Sequence, residues 1–232
     1  MTANDALWCV VPAAGRGLRF GGDTPKQYLP IAGKPLLLHT LERLAVHPRI
    51  AGLIVVLAAD DAYWPRLLDL GGKPIETAIG GRERADSVLA GLQALPHAVH
   101  AEDFVLVHDA ARPCVRANDI SRLIECAAGA ILASPVRDTI KSSDETADGA
   151  PHIAHTVPRA GLWRALTPQM FRRGELTRAL QHAHLAGGAT DEAAAMEAQG
   201  HRPLLIEGAD DNIKITTPAD VTLAEFLLTR IS

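Results

Sequence analysis

Three short apolar runs punctuate the first half of the chain. Leu7-Trp8-Cys9-Val10-Val11, Gly52-Leu53-Ile54-Val55-Val56-Leu57 and Phe104-Val105-Leu106-Val107 are continuous rather than alternating. That is the pattern of strands buried on both faces of a parallel sheet. Between them the apolar period becomes helical. Pro35 suits a first helical position, and Leu37, Leu41, Leu44 and Ala45 follow on one face. Val88, Leu89, Leu92 and Leu95 mark a second helix, and Ile120, Leu123, Ile124 and Ala127 a third, after Asn118-Asp119. Alternating strands and helices predict βαβ units with right-handed crossovers. Ligands bind beyond the carboxyl ends of such strands. The loops after Val11, Leu57 and Val107 are therefore expected to share one crevice; they carry Gly15-Arg16-Gly17, Ala58-Ala59-Asp60 and Asp109-Ala110-Ala111-Arg112.

After Pro135 the pattern changes. Thr139-Ile140-Lys141 and Ile153 to Val157 read as two short strands around a tip, Ser142 to Pro151, rich in Ser, Asp, Glu, Gly and Pro. A lone hairpin is marginal in water. Residues 136–159 are thus expected to form an inserted β-arm that either folds back on the body or, the favoured reading, grips a partner subunit in a homodimer. Asp191 to Gly200 then reads as helix, Leu204-Leu205-Ile206 as strand and Pro218 to Leu228 as a final helix. The expected architecture is a single α/β domain over residues 1–232. It is Rossmann-like, a mostly parallel sheet with helices on both faces, plus a protruding β-hairpin arm.

Composition narrows the function. The 232 residues are 47% hydrophobic and 22% charged, the mix of a globular domain. With 23 basic against 27 acidic residues and only 4% aromatics, neither a basic footprint nor a stacking platform for nucleic acid is present. No apolar run approaches the roughly 20 residues of a membrane-spanning helix, and the first residues show no basic stretch followed by a long apolar one, so no signal peptide is expected. Cys9, Cys114 and Cys126 have no metal-like or CxxC spacing, so three reduced thiols in a cytoplasmic protein are expected. The ten histidines lack zinc-site context. Asp60-Asp61 reads better as a helix N-cap than as a metal pair.

The loop after the first strand, Pro12-Ala13-Ala14-Gly15-Arg16-Gly17-Leu18-Arg19-Phe20, stands where phosphate loops belong. It fails the dinucleotide fingerprint, with Phe20 at the third glycine position, and it fails the Walker A pattern, with Asp23 after Gly22. What remains is a small-residue loop whose backbone N–H groups can approach phosphate closely, flanked by Arg19 and by Pro25-Lys26.

Pro12-Ala13-Ala14-Gly15-x-Gly17-x-Arg19 with Pro25-Lys26-Gln27-Tyr28 resembles the nucleotidyltransferases that activate sugars and alditols. Within them, it resembles most the 2-C-methyl-D-erythritol 4-phosphate cytidylyltransferases. Further blocks agree in order: Gly80-Gly81-x-x-Arg84-x-x-Ser87-Val88, Val107 to Pro113, Pro135 to Thr139, Arg159, Leu166 to Gln169, Thr190-Asp191-Glu192 and Asn212 to Thr216. The resemblance implies transfer of a cytidylyl group from CTP to methylerythritol phosphate with Mg²⁺ as cofactor, in isoprenoid precursor synthesis. It implies Arg19, Lys26, Arg159 and Lys214 as the catalytic cations. It implies Pro12, Ala13, Ala14, Gly15, Gly17, Gly81, Arg84 and Ser87 as the CTP site, although Arg84 reads equally as a structural ion-pair partner. Asp109, Arg112, Thr139 and Thr167 fall to the acceptor, with Asp109 touching the metal directly or through water. A ribitol phosphate cytidylyltransferase shares these features and differs only in its acceptor pocket. A non-catalytic nucleotide sensor has no need of four convergent cations, and Phe20 argues against a dehydrogenase.

Overall fold

The computed structural model describes residues 7–15, 24–145, 149–185 and 188–230. In chain order the elements are β1 (Leu7–Pro12), a 3₁₀ turn (Lys26–Tyr28), β2 (Pro30–Ile31), β3 (Lys34–Pro35), α1 (Leu36–Ala45), β4 (Ile50–Leu57), β5 (Asp69–Leu70), β6 (Lys73–Ile79), α2 (Arg84–Gln93), β7 (Phe104–Val107), α3 (Ala117–Glu125), β8 (Ala130–Pro135), β9 (Ile140–Glu145), β10 (Pro151–Val157), β11 (Trp163–Arg172), α4 (Arg173–Leu185), α5 (Glu192–Ala198), β12 (Leu204–Glu207) and α6 (Pro218–Leu228).

Eight strands form one sheet in the order β12-β8-β11-β7-β1-β4-β6-β5. The pairs β7–β1, β1–β4, β4–β6 and β12–β8 are parallel, whereas β11 runs antiparallel to both β7 and β8. Because side chains alternate across a strand, the continuous apolar runs feed two cores at once. Cys9, Val11, Leu53, Val55 and Leu106 pack on one face with α1 and α3. Val10, Ile54, Val56, Val105 and Val107 pack on the other with α2, α4 and α5. Helix α6 closes a third, smaller cluster with Ile31, Leu36 and Ile215. The mostly parallel α/β sheet covered on both faces is thus the expected fold. The hairpin is present too, with β9 and β10 pairing only with each other. Its strands are longer and its tip shorter than the Ser142 to Pro151 expectation.

Several local expectations are corrected. Pro35 is the N-cap of α1 and ends β3 instead of occupying the first helical position. Asn118 and Asp119 lie inside the first turn of α3, which begins at Ala117. No helix follows Asp60-Asp61. Asp61 instead accepts the backbone N–H groups of Tyr63 and Trp64 and the hydroxyl of Tyr28, a side-chain turn that competes with helix. Pro65 reinforces the outcome, since a residue before proline avoids helical geometry. Strand β11 carries no clear periodic signal in the sequence, and helix α4 is not among the expected elements although Leu176, Ala179, Leu180 and Ala183 repeat with helical spacing on its buried face. In β11 the register slips between Ala165 and Gln169, a bulge-like irregularity that takes Thr167 out of the ladder.

Candidate active site

The cleft sits where strand order predicts, at the carboxyl ends of β1 and β7 and beyond β6. It measures about 340 Å³ and is lined by 12–15, Lys26 and Gln27, 81–84 and Ser87, 109–111 and Lys214. The loop after β4 does not reach it. That loop turns toward Tyr28 through Asp61, and the segment after β6 takes its place. Four basic side chains (Lys26, Arg82, Arg84 and Lys214) face two acidic ones (Glu83 and Asp109) along this lining. A chain of net charge −4 thus focuses positive potential into one concavity, which suits a polyanion.

Its two walls come close together. A Cβ on Gly80 would stand 2.6 Å from the Ala14 Cβ and 2.6 Å from the Ser87 Oγ, so only glycine fits between them. Gln27, which is buried, donates through Nε2 to the Ala13 carbonyl at 2.7 Å and holds the small-residue loop open. Lys26 reaches across the cleft and donates to the Ile215 carbonyl at 2.7 Å. The N-terminus of α2 opens onto the same space, closed by a reciprocal capping box between Glu83 and Asp86.

Asp109 is the centre of charge. Its Oδ1 accepts from Arg84 Nε at 3.0 Å, and its Oδ2 from Lys214 Nζ at 2.9 Å and Arg112 Nε at 3.4 Å. Burial by itself raises a carboxyl pKa, but Arg84, Lys214 and Arg112 outweigh it and hold Asp109 well below the usual carboxylate range. Arg112 is anchored in turn by the Asn212 carbonyl at 2.7 Å.

His108 is fully buried beside it. Its Nε2 lies 3.0 Å from the Arg112 carbonyl and its Nδ1 lies 2.9 Å from the Thr167 hydroxyl. A carbonyl only accepts, so the proton resides on Nε2. The Thr167 hydroxyl then donates to Nδ1 and accepts the backbone N–H of Asp109 at 3.1 Å. This chain pins the 108–112 turn to the irregularity in β11. Burial pushes the imidazole down to about 4, partly opposed by its hydrogen bond to Arg112.

Comparison with known proteins agrees with this arrangement. The family model for 2-C-methyl-D-erythritol 4-phosphate cytidylyltransferase matches residues 7–230. The chain belongs to the 2-C-methyl-D-erythritol 4-phosphate cytidylyltransferase family. A curated relative of that name from Stenotrophomonas maltophilia (strain R551-3) is 58% identical over 230 residues, covering 97% of each chain. The solved structure of the Francisella tularensis enzyme of the same name superposes with a TM-score of 0.79 at 32% identity, covering 96% of this chain and 99% of that one. The Thermus thermophilus enzyme superposes at 0.75 with 31% identity, covering 97% and 100%.

The family's expected site residues divide into three groups. Pro12, Ala13, Ala14, Gly15, Lys26, Gly81, Arg84, Ser87, Asp109 and Lys214 line the one cleft, and Arg112 and Thr167 join it through Asp109. Thr139 and Arg159 do not join it. They flank the arm, exposed, and Arg159 donates to the Arg137 carbonyl. Gly17 and Arg19 lie outside the described residues. Sequence reasoning gave no role to Arg82, Gln27 or Glu192, which line or brace the cleft; Gln27 and Glu192 stand in family blocks, whereas Arg82 fills a variable position in its block. A larger groove of about 610 Å³ lies elsewhere, at the start of α3. Its charges largely satisfy one another, Arg116 with Asp211 and Arg122 with Asp119.

The buried neutral imidazole has a measurable consequence. The unfolded chain binds a proton near pH 6.5 that folded His108 refuses until about 4. Stability contributed by this group is therefore present above pH 6.5 and lost as pH falls toward 4, with a slope of up to about 1.4 kcal/mol per pH unit. His47, also depressed by burial, titrates in the same sense. Denaturant unfolding of wild type and His108→Asn between pH 4 and 7 separates the two, and the variant is expected to show the shallower slope.

Proposed function

We propose that this chain transfers the cytidylyl group of CTP to 2-C-methyl-D-erythritol 4-phosphate, releasing CDP-methylerythritol and pyrophosphate. The reaction belongs to non-mevalonate isoprenoid precursor synthesis. Membership of the family over residues 7–230 carries the reading, and a cationic cleft built on a small-residue loop supports it.

The chemistry needs positioning more than proton transfer. The nucleophile is a phosphate oxygen, anionic at neutral pH, so no general base is required. His108, the histidine nearest Asp109 in sequence, has both ring nitrogens engaged and is not available for that task. Negative charge builds on the α-phosphate as it becomes five-coordinate, and preorganised cations stabilise that state above the ground state. On this reading the 12–15 loop, Gly17, Gly81, Arg84 and Ser87 hold CTP. Lys26 and Arg19 face the α-phosphate. Lys214, Asp109, Arg112 and Thr167 orient the acceptor, whose phosphate Lys214 and Arg159 hold for attack.

Magnesium is the expected cofactor. Both Asp109 oxygens are taken by basic side chains, and no three His, Cys, Asp or Glu side chains gather as a metal cluster among the described residues. That donor set fits an ion carried on the nucleotide phosphates and met by Asp109 through water. Such an ion supplies neutralisation of phosphate charge when bound.

The arm carries the homodimer reading. Strand β10 is exposed along almost its whole length, Ile153 is 68% exposed, and Leu162 and Trp163 are open at the arm's base. A hairpin so bare gains its burial from a second copy. Thr139 and Arg159, which flank the arm and do not line their own cleft, then serve the partner's. No helix among the described residues is long and apolar enough to cross a membrane. The three free cysteines suit a reducing, cytoplasmic setting.

Three measurements test this reading. Pyrophosphate release with CTP and Mg²⁺ is expected with methylerythritol phosphate and not with ribitol 5-phosphate; the reverse pattern overturns the acceptor. Lys26→Ala is expected to lower kcat by about 10²–10³, whereas a change confined to KM indicates ground-state binding alone. Deleting 142–151 is expected to yield a monomer with little turnover by size-exclusion and rate assays, and a fully active monomer sinks the shared-site reading.

A further inference from the structure

One acid beside the cleft has no part in the steps above. Glu192, the first residue of α5, has no exposed surface. A carboxylate removed from water is tolerated only when its charge is met. One group meets both of its oxygens: Arg84 Nη1 reaches Oε1 at 2.6 Å and Nη2 reaches Oε2 at 3.0 Å. Burial raises the Glu192 pKa and the Arg84 guanidinium opposes that rise.

The placement of Glu192 is itself secured. Asp191 caps α5 by accepting the Ala194 N–H at 2.9 Å. The buried Gln169 amide then grips the same turn at both ends. Its Nε2 donates to Asp191 Oδ2 at 2.8 Å, and its Oε1 accepts the Ala193 N–H at 2.9 Å. Strand β11 therefore sets where Glu192 stands.

A guanidinium is a rigid planar fork. With Nη1 and Nη2 placed on Glu192, the opposite edge of the fork is fixed in direction, and both Nε and Nη2 stand 3.0 Å from Asp109 Oδ1. Oδ2 is left for Lys214 and Arg112. Without the Glu192 charge the fork is free to turn and engage both Asp109 oxygens, which weakens the hold of Asp109 on Lys214. We infer that Glu192 is a positioning residue for the transfer reaction, acting through Arg84 to orient Asp109 and Lys214 toward the acceptor phosphate. The inference rests on the cytidylyl-transfer reading of the cleft.

Glu192→Gln keeps the shape and removes the charge. It is expected to raise the KM for methylerythritol phosphate about tenfold and the KM for CTP by clearly less, since Arg84 also borders the CTP loop. Combined with Asp109→Asn it is expected to add little to the loss that Asp109→Asn causes alone, because both act on one element. A clamp that merely ties α5 to α2 predicts lower thermal stability with equal effects on both substrates. That outcome, or additive losses in the double variant, overturns the inference. Should Glu192→Gln not fold, Glu192→Asp keeps the charge at a shorter reach and is expected to show a smaller shift in the same direction. An unchanged acceptor KM in folded Glu192→Asp overturns the inference. Wild-type enzyme in the same assay separates the two claims. No pyrophosphate from wild type defeats the functional reading itself, whereas wild-type turnover with an unchanged acceptor KM in Glu192→Gln defeats the inference alone.

Discussion

The cleft depends on one nearly buried carboxylate surrounded by three cations. Asp109 stands at the end of β7, and Arg84, Arg112 and Lys214 approach it from α2, from its own turn and from the segment before α6. Desolvation of such a group is expensive, and only several short ion pairs together offset it. The arrangement also works in reverse. Three positive groups converging on one concavity would repel one another and draw in water if the carboxylate were absent. Asp109 therefore lets cations accumulate in one concavity, in a protein whose overall charge is negative.

That centre is held by hydrogen bonds that come from distant parts of the chain. Thr167, displaced at the irregularity in β11, takes the Asp109 N–H and binds His108. Asn212 offers its carbonyl to Arg112 and its amide to the Thr167 carbonyl. Gln169 and Glu192 brace Arg84 from behind. Most of these groups are buried, so each lost partner leaves an orphaned polar atom in a dry setting. Preorganisation of this kind suits a reaction in which charge is stabilised and no proton has to be shuttled.

The sequence carried the frame of this molecule. Continuous apolar runs at β1, β4 and β7, with helical spacing at α1, α2 and α3, sufficed for the covered, mostly parallel sheet. The small-residue loop at 12–15 and the ordered family blocks led to the cleft. Local rules failed where long-range pairing outweighed propensity. Strand β11 has no alternating pattern because residues 166–171 are buried on both faces of the sheet. The Asp60-Asp61 stretch lost its expected helix to a hydrogen bond from Tyr28, more than thirty positions away.

What the sequence alone determined was the kind of fold, the small-residue loop after β1 and the residue blocks that mark the family. Those features are written in residue types and in spacings of two to eight positions. Tertiary structure decided which cations share a carboxylate, which loops line the cleft, and that Arg84 is spoken for by Glu192 and Asp109. The pair Arg84–Glu192 spans 108 positions and Lys26–Ile215 spans 189. No local pattern encodes such distances, because the contacts exist only once the sheet has ordered its strands.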